Sequence, residues 1–211
     1  MAVSLTLHEL NLAALAPEIL LMLGICVFLV VEALTGRKEC PRRADRMALL
    51  VLVAPLVAVL WQYNHGPQQA FGHMYLADDL AYLLKVCGIV CTGSIIIYSR
   101  GYMADRGIRG ADLYALALFS LLGQMVMVSG GNLLVLYLGL ELMSLSLYAA
   151  IGLRRNWTQG TEAAMKYFVL GAFASAFLLM GAALLYGFSG SVSYTDIAAA
   201  IRYGAVPGMD R

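Results

Sequence analysis

One carboxylate, Glu141, sits in the otherwise apolar run Asn132-Leu-Leu-Val-Leu-Tyr-Leu-Gly-Leu-Glu-Leu-Met-Ser-Leu-Ser-Leu-Tyr148. Read as a membrane helix from Asn132 to Leu153, the run holds Glu141 nine residues from one end and twelve from the other, near the bilayer midplane. An ionisable group at that depth costs about 2.5–3.5 kcal/mol, so a chain that keeps one has a use there for a proton or an ion. Positions 137, 141, 144 and 148 share one helical face, and they are Tyr137, Glu141, Ser144 and Tyr148. Such a stripe must turn toward protein or trapped water, because lipid cannot satisfy it. The next apolar run carries Lys166, a candidate partner, and a further lysine, Lys85, lies in an earlier apolar run.

The elements that must position these groups are membrane helices. Of 211 residues, 61% are hydrophobic and 13% charged, with mean hydropathy +0.78. A soluble domain carries about twice that charged fraction. A net charge of +1 leaves no basic face for nucleic acid. Runs near the ~20 residues needed to span a bilayer recur at about Leu15–Leu34, Met47–Tyr63, Leu80–Tyr98, Ala111–Val128, Asn132–Leu153 and Thr161–Phe188. The expected fold is all-α, a polytopic membrane helical bundle of about six transmembrane helices. Ser129-Gly130-Gly131 forces helices 4 and 5 into a tight antiparallel hairpin. Pro55 should kink helix 2. Pro17-Glu18 suits the first turn of helix 1, where a carboxylate faces the positive dipole end, so Glu18 reads as mainly structural.

Loop charges set the orientation. Arg37, Lys38, Arg42, Arg43 and Arg46 precede helix 2, Arg100, Arg106 and Arg109 follow helix 3, and Arg154 and Arg155 follow helix 5. These ten of the 14 basic residues fall on one side, while the loops between helices 2 and 3 and helices 4 and 5 carry none. The positive-inside rule makes that side cytoplasmic, or matrix, and puts the N-terminus outside. With no basic n-region or small-residue cleavage site before it, the first run is expected to stay as a span. A short interfacial helix, Thr195–Tyr203, precedes the Pro207–Arg211 tail. Cys26, Cys40, Cys87 and Cys91 lack metal-ligand spacing and read as free thiols.

Depth bears on which cation serves Glu141. At 1.5 Å per residue, Glu141 lies ~18 Å from the inner end of helix 5 and Lys166 ~8 Å into helix 6, an axial gap of ~10 Å. Long side chains or a bridging water close such a gap. Gly171 and Ser175 on helix 6 permit close approach of helix 5. Glu162, one turn before Lys166 in the favourable order, is the rival partner, and snorkelling to the interface is a third outcome. Lys85 sits a turn and a half into helix 3, where snorkelling is the default and a transport role the alternative.

The stretch Gly139-Leu-Glu141 to Tyr148, followed by Thr161-Glu-Ala-Ala-Met-Lys166 to Ser175, resembles subunit N of proton-pumping NADH:quinone oxidoreductase, an antiporter-like membrane subunit of respiratory complex I. The resemblance implies that Glu141 and Lys166 are the family's helix-5 glutamate and the lysine of its next helix; Lys85, from its place in helix 3 alone, is a weaker third candidate for proton translocation. It also implies about fourteen helices in two inverted repeats, each with a broken helix. This chain then corresponds to the N-terminal part only: residues 1–110 as a three-helix segment, 111–190 as the start of the antiporter-like inverted-repeat fold, and 191–211 as an apparently truncated interfacial tail. A fragment, a split product and a short form all fit.

The implied mechanism is a charge switch. A nearby Lys166 ammonium holds Glu141 ionised, and when that charge withdraws burial raises the carboxylate pKa until it takes a proton. A swing of 3–4 units moves ~4–5 kcal/mol between sites. NADH, FMN, iron–sulfur clusters and quinone are implied only in partner subunits, since the chain has neither a phosphate-binding glycine loop nor a cysteine cluster. The implied partners are the other membrane subunits of complex I, the lipid bilayer and protons, in a bacterial inner membrane. A cation/proton antiporter subunit and a truncated bundle without transport of its own are the alternatives.

Overall fold

The second helix begins at Pro41, six residues before the expected Met47, because proline at the first helical position gives up no needed hydrogen bond. The computed structural model describes residues 11–35, 41–72, 74–105, 110–154 and 157–203. Arg37, Lys38, Cys40, Arg106, Arg109, Arg155 and the Pro207–Arg211 tail lie outside the described residues. In chain order the elements are α1 (Ala16–Thr35), α2 (Pro41–Tyr63), β1 (Gln68–Ala70), β2 (Tyr75–Ala77), α3 (Asp79–Asp105), α4 (Gly110–Val128), α5 (Leu133–Ile151), α6 (Thr158–Ser189) and α7 (Tyr194–Tyr203). Helices α1 to α6 are each long and apolar enough to cross a membrane. The chain is a multi-pass membrane protein with an all-α framework.

Local chemistry sets several ends. Asn132 caps α5, its side chain accepting from the Val135 N–H at 2.7 Å. Gly190 ends α6 in the left-handed region at φ 68. The hairpin β1–β2 was not foreseen, because its strands are three residues long. It depends on glycines at positive φ on either side of β1, Gly66 and Gly72. The hairpin docks on the α4–α5 turn: the Leu76 N–H donates to the Ser129 carbonyl and the Gly131 N–H to the Met74 carbonyl, each at 2.8 Å. The Leu133 N–H donates to the Val192 carbonyl at 3.0 Å. The α2–α3, α4–α5 and α6–α7 connections are thereby tied together at one end of the bundle.

At the other end Asp45 of α2, buried, pairs with Arg100 of α3 at 2.7 Å. Between the two ends α1 to α4 close around a core that includes Leu21, Ile25, Phe28, Leu52, Ile89, Ile96, Leu118, Leu121 and Met125. Helix α6 differs from them. It packs mainly on α5, and large apolar residues such as Leu170 and Phe177 stay exposed along it. The short helix expected after α6 forms as α7, with Ile197 and Ala200 buried and Ile201 exposed.

Candidate functional site

Gly139 fixes where Glu141 points. It meets Gly123 of α4 backbone to backbone, and Ser146 on the same face of α5 is buried. At 3.6 residues per turn Glu141 lies nearly opposite that contact. Tyr137, Glu141, Ser144 and Tyr148 are all half-buried on the side away from α4. Tyr137 places its hydroxyl within electrostatic reach of Glu141 one turn on. Tyr148 joins the stripe to α6: its ring packs edge-on against Tyr167 and Phe168, with centroids 4.8 and 5.8 Å apart, and its hydroxyl lies over Gly171.

Lys166 does not come to Glu141. It is exposed and pairs with Glu162 one turn earlier, at 2.5 Å, so the rival partner weighed from sequence holds it. Two geometric facts keep the expected pair apart. Gly152 stands against Ala164, and Tyr148 against Tyr167, Phe168 and Gly171. This antiparallel register brings Glu141 level with Ser175 and leaves Lys166 about nine residues, ~14 Å, nearer the opposite end. The same contacts mark the α5-facing side of α6, and Lys166 lies about 160° around the helix from it. Depth counted from helix ends underestimated the gap because α6 begins at Thr158, before it reaches α5.

A different acid and base do meet. Lys85 of α3 is 1% exposed and Glu18 of α1 is 6% exposed, with Lys85 Nζ 2.7 Å from Glu18 Oε1. The expected snorkelling of Lys85 does not occur, and Glu18 does more than face the dipole of its first turn. Tyr75 of β2 completes the cluster. Its hydroxyl accepts from Lys85 Nζ at 2.8 Å and can donate to Glu18 Oε1 or Oε2 at 2.9 and 3.0 Å or to the Ala14 carbonyl at 3.0 Å. The Lys85 ammonium also stands 5.0 Å from the Tyr75 ring centre. Burial, and then the Glu18 charge, push the Tyr75 phenol well above its usual range. One signal was available in the sequence: Glu18 and Lys85 each lie within two turns of helix starts that the charge pattern places on the same side.

Residues 130–209 match the family model described as NADH:quinone oxidoreductase/Mrp antiporter, TM. Subunit N of NADH-quinone oxidoreductase from Herminiimonas arsenicoxydans is 44% identical over 95% of this chain and 41% of its own length. The subunit of that name from Paraburkholderia phymatum is 43% identical over 92% of this chain and 40% of its own. Among solved structures, a chain of respiratory complex I from Thermus thermophilus with bound aureothin matches at TM-score 0.69 and 30% identity, covering 84% of this chain and 38% of that one. A chain of the membrane-bound sulfane sulfur reductase, an archaeal respiratory membrane complex, matches in fold at TM-score 0.69 and 20% identity, over 89% of this chain and 39% of that one. Nearly the whole chain is thus similar in sequence to subunit N of NADH-quinone oxidoreductase, and it spans about two-fifths of the length of those relatives.

Proposed function

We propose that the chain is part of a membrane-arm subunit of a proton-pumping NADH:quinone oxidoreductase, with Glu141 as a proton-carrying group. The observation that supports this best is the half-buried Glu141 on a polar stripe turned away from the α4 packing face, in a chain so similar to subunit N. In this reading the other membrane subunits of the complex are its partners. NADH, FMN, the iron–sulfur clusters and quinone act in partner subunits, and the enzyme activity belongs to the assembly. The end bearing Asp45 and Arg100 faces the cytoplasm of a bacterial inner membrane, and the hairpin end, with the N-terminus, faces outside.

Lys166 is assigned a weaker hold on Glu141 than a contact would give. The axial offset alone is ~14 Å, and at that distance and an effective dielectric of 20 two unit charges interact by at most about 1 kcal/mol. The switch needs ~4–5 kcal/mol. Lys166, held by Glu162, therefore supplies only part of the toggling charge, and the remainder comes from charged groups beyond these helices. The test is Glu141→Gln in the complete complex, with assembly and NADH-driven proton pumping measured in membrane vesicles. A several-fold loss of pumping in an assembled complex is expected; undiminished pumping rules Glu141 out.

The family description also names Mrp antiporters, which supports a cation/proton antiporter subunit as the second reading. Sodium-dependent proton exchange that ignores NADH oxidation would favour it.

A further inference from the structure

The mechanism centred on Glu141 leaves a buried ion pair, Glu18 with Lys85, unused. Glu18, Lys85 and Tyr75 come from α1, α3 and β2, three elements that meet at the hairpin end. A merely structural contact there would be served by apolar side chains at lower desolvation cost. The surroundings are also polar beyond what the fold consumes. Ser129 lies close beside the Tyr75 hydroxyl, yet its buried Oγ completes no well-aligned hydrogen bond among the described residues. Gln62 of α2 is fully buried, donates from Nε2 to the Ala13 and Ala14 carbonyls at 2.6 and 3.1 Å, and leaves Oε1 without a partner among the described residues. The Ala14 carbonyl is shared with Tyr75, so the two orphaned atoms flank the cluster. Buried polar atoms of this kind recruit water. Asp78, which caps α3 by accepting from the Ala81 N–H at 2.8 Å, and Tyr82 are the neighbouring titratable groups.

We propose that Glu18, Tyr75 and Lys85 form a second, hydrated proton-exchanging centre at the hairpin end of the bundle, distinct from Glu141. The elementary step is balanced within the cluster. The Tyr75 hydroxyl passes its proton to a Glu18 oxygen while its own oxygen takes one from the Lys85 ammonium. An ion pair becomes a neutral acid and a neutral amine, with Tyr75 unchanged and no electrons moved. Burial disfavours the ion pair through desolvation while the attraction of the charges favours it. A change of charge nearby then decides between them, and water held by Ser129 and Gln62 connects the cluster to the outer face.

The inference rests on the proton-pumping reading, and the experiment separates the two. Complete complexes carrying Glu141→Gln, Glu18→Gln, or Glu18→Gln with Lys85→Met are compared in membrane vesicles for assembly and NADH-driven pumping. The double variant should assemble and lose pumping several-fold; assembly with undiminished pumping overturns the second centre. NADH-driven infrared difference spectra of the unmutated complex should contain a carboxylic-acid band that disappears in Glu18→Gln. That readout does not depend on the double variant folding, and no purely structural ion pair would produce it. Absence of such a band overturns the proposal. Loss of pumping in Glu141→Gln beside normal pumping in the double variant removes this inference alone, whereas normal pumping in every variant removes the functional reading as well.

Discussion

Gly123 of α4 and Gly139 of α5 meet backbone to backbone: a Cβ on Gly139 would stand 2.6 Å from the Met127 nitrogen and 2.7 Å from the Gly123 carbonyl oxygen. This contact seats the α4–α5 hairpin, and by helical geometry it turns Glu141 to the opposite side.

Gly139→Ala should therefore cost about 1–3 kcal/mol, since the atoms in the way are backbone and cannot rotate aside. Gly93→Ala on α3 is the control, because its Cβ would meet only the Leu52 and Leu49 side chains at 3.7 and 3.9 Å, ordinary contact. Thermal unfolding in detergent should show a lower midpoint for Gly139→Ala and little change for Gly93→Ala. Equal midpoints would mean that α5 can slide without penalty.

Gly171 is the corresponding fit between α5 and α6. A Cβ there would overlap the Tyr148 hydroxyl and approach the ring carbon behind it, so Gly171→Ala should displace Tyr148 and cost about 1–3 kcal/mol. Tyr148 shares its face with Glu141 two turns away, so pumping should fall in the same variant. Tyr148→Ala opens the space again. The double variant should lose less stability than the two single losses added, as expected for residues in contact. Strict additivity would mean that the helices do not meet there.

The spans, the tight α4–α5 turn and the short helix after α6 were legible in the sequence, because each depends on local composition: apolar length, Gly130-Gly131, and Ile197 with Ala200 on one face of α7. The face of α5 carrying Glu141 was legible for the same reason, through the spacing of Tyr137, Ser144 and Tyr148. What α6 presents to that face was not. Lys166 is two residues from Phe168 in sequence but about 160° from the α5 contact in space, and only the register of Gly152 on Ala164 reveals it. The Glu18–Lys85 pair was hidden for another reason. Its third member, Tyr75, belongs to a hairpin too short for a periodic signal, and two charges near helix starts look individually like a dipole-facing acid and a snorkelling lysine.

Tyr75 allows a test by pH. Its buried phenol holds its proton beyond the usual value of 10.0, so between that pH and the folded value the unfolded chain binds fewer protons than the folded one. The contribution of Tyr75 to stability is complete below about pH 10 and falls as pH rises above it. Absorbance titration should show the difference between wild type and Tyr75→Phe gaining no tyrosinate near pH 10. A full tyrosinate signal from Tyr75 at that pH, in folded protein, would contradict the buried cluster.

The Glu18–Lys85 pair should respond asymmetrically to losing one charge or both. Lys85→Met leaves a carboxylate at 6% exposure with only Tyr75 to donate to it, and Glu18→Gln leaves an ammonium at 1% exposure against the same hydroxyl. Either single change strands a charge that was desolvated on folding, which costs about 3–5 kcal/mol. Removing both strands none, so Glu18→Gln with Lys85→Met should be markedly more stable than either single variant. The Tyr75 hydroxyl keeps the Ala14 carbonyl as an acceptor in that background. Unfolding midpoints of the four proteins make a double-mutant cycle, and a large favourable coupling between the two substitutions is the expected result. A double variant as unstable as the two single losses combined would mean that the two charges do not stabilise each other.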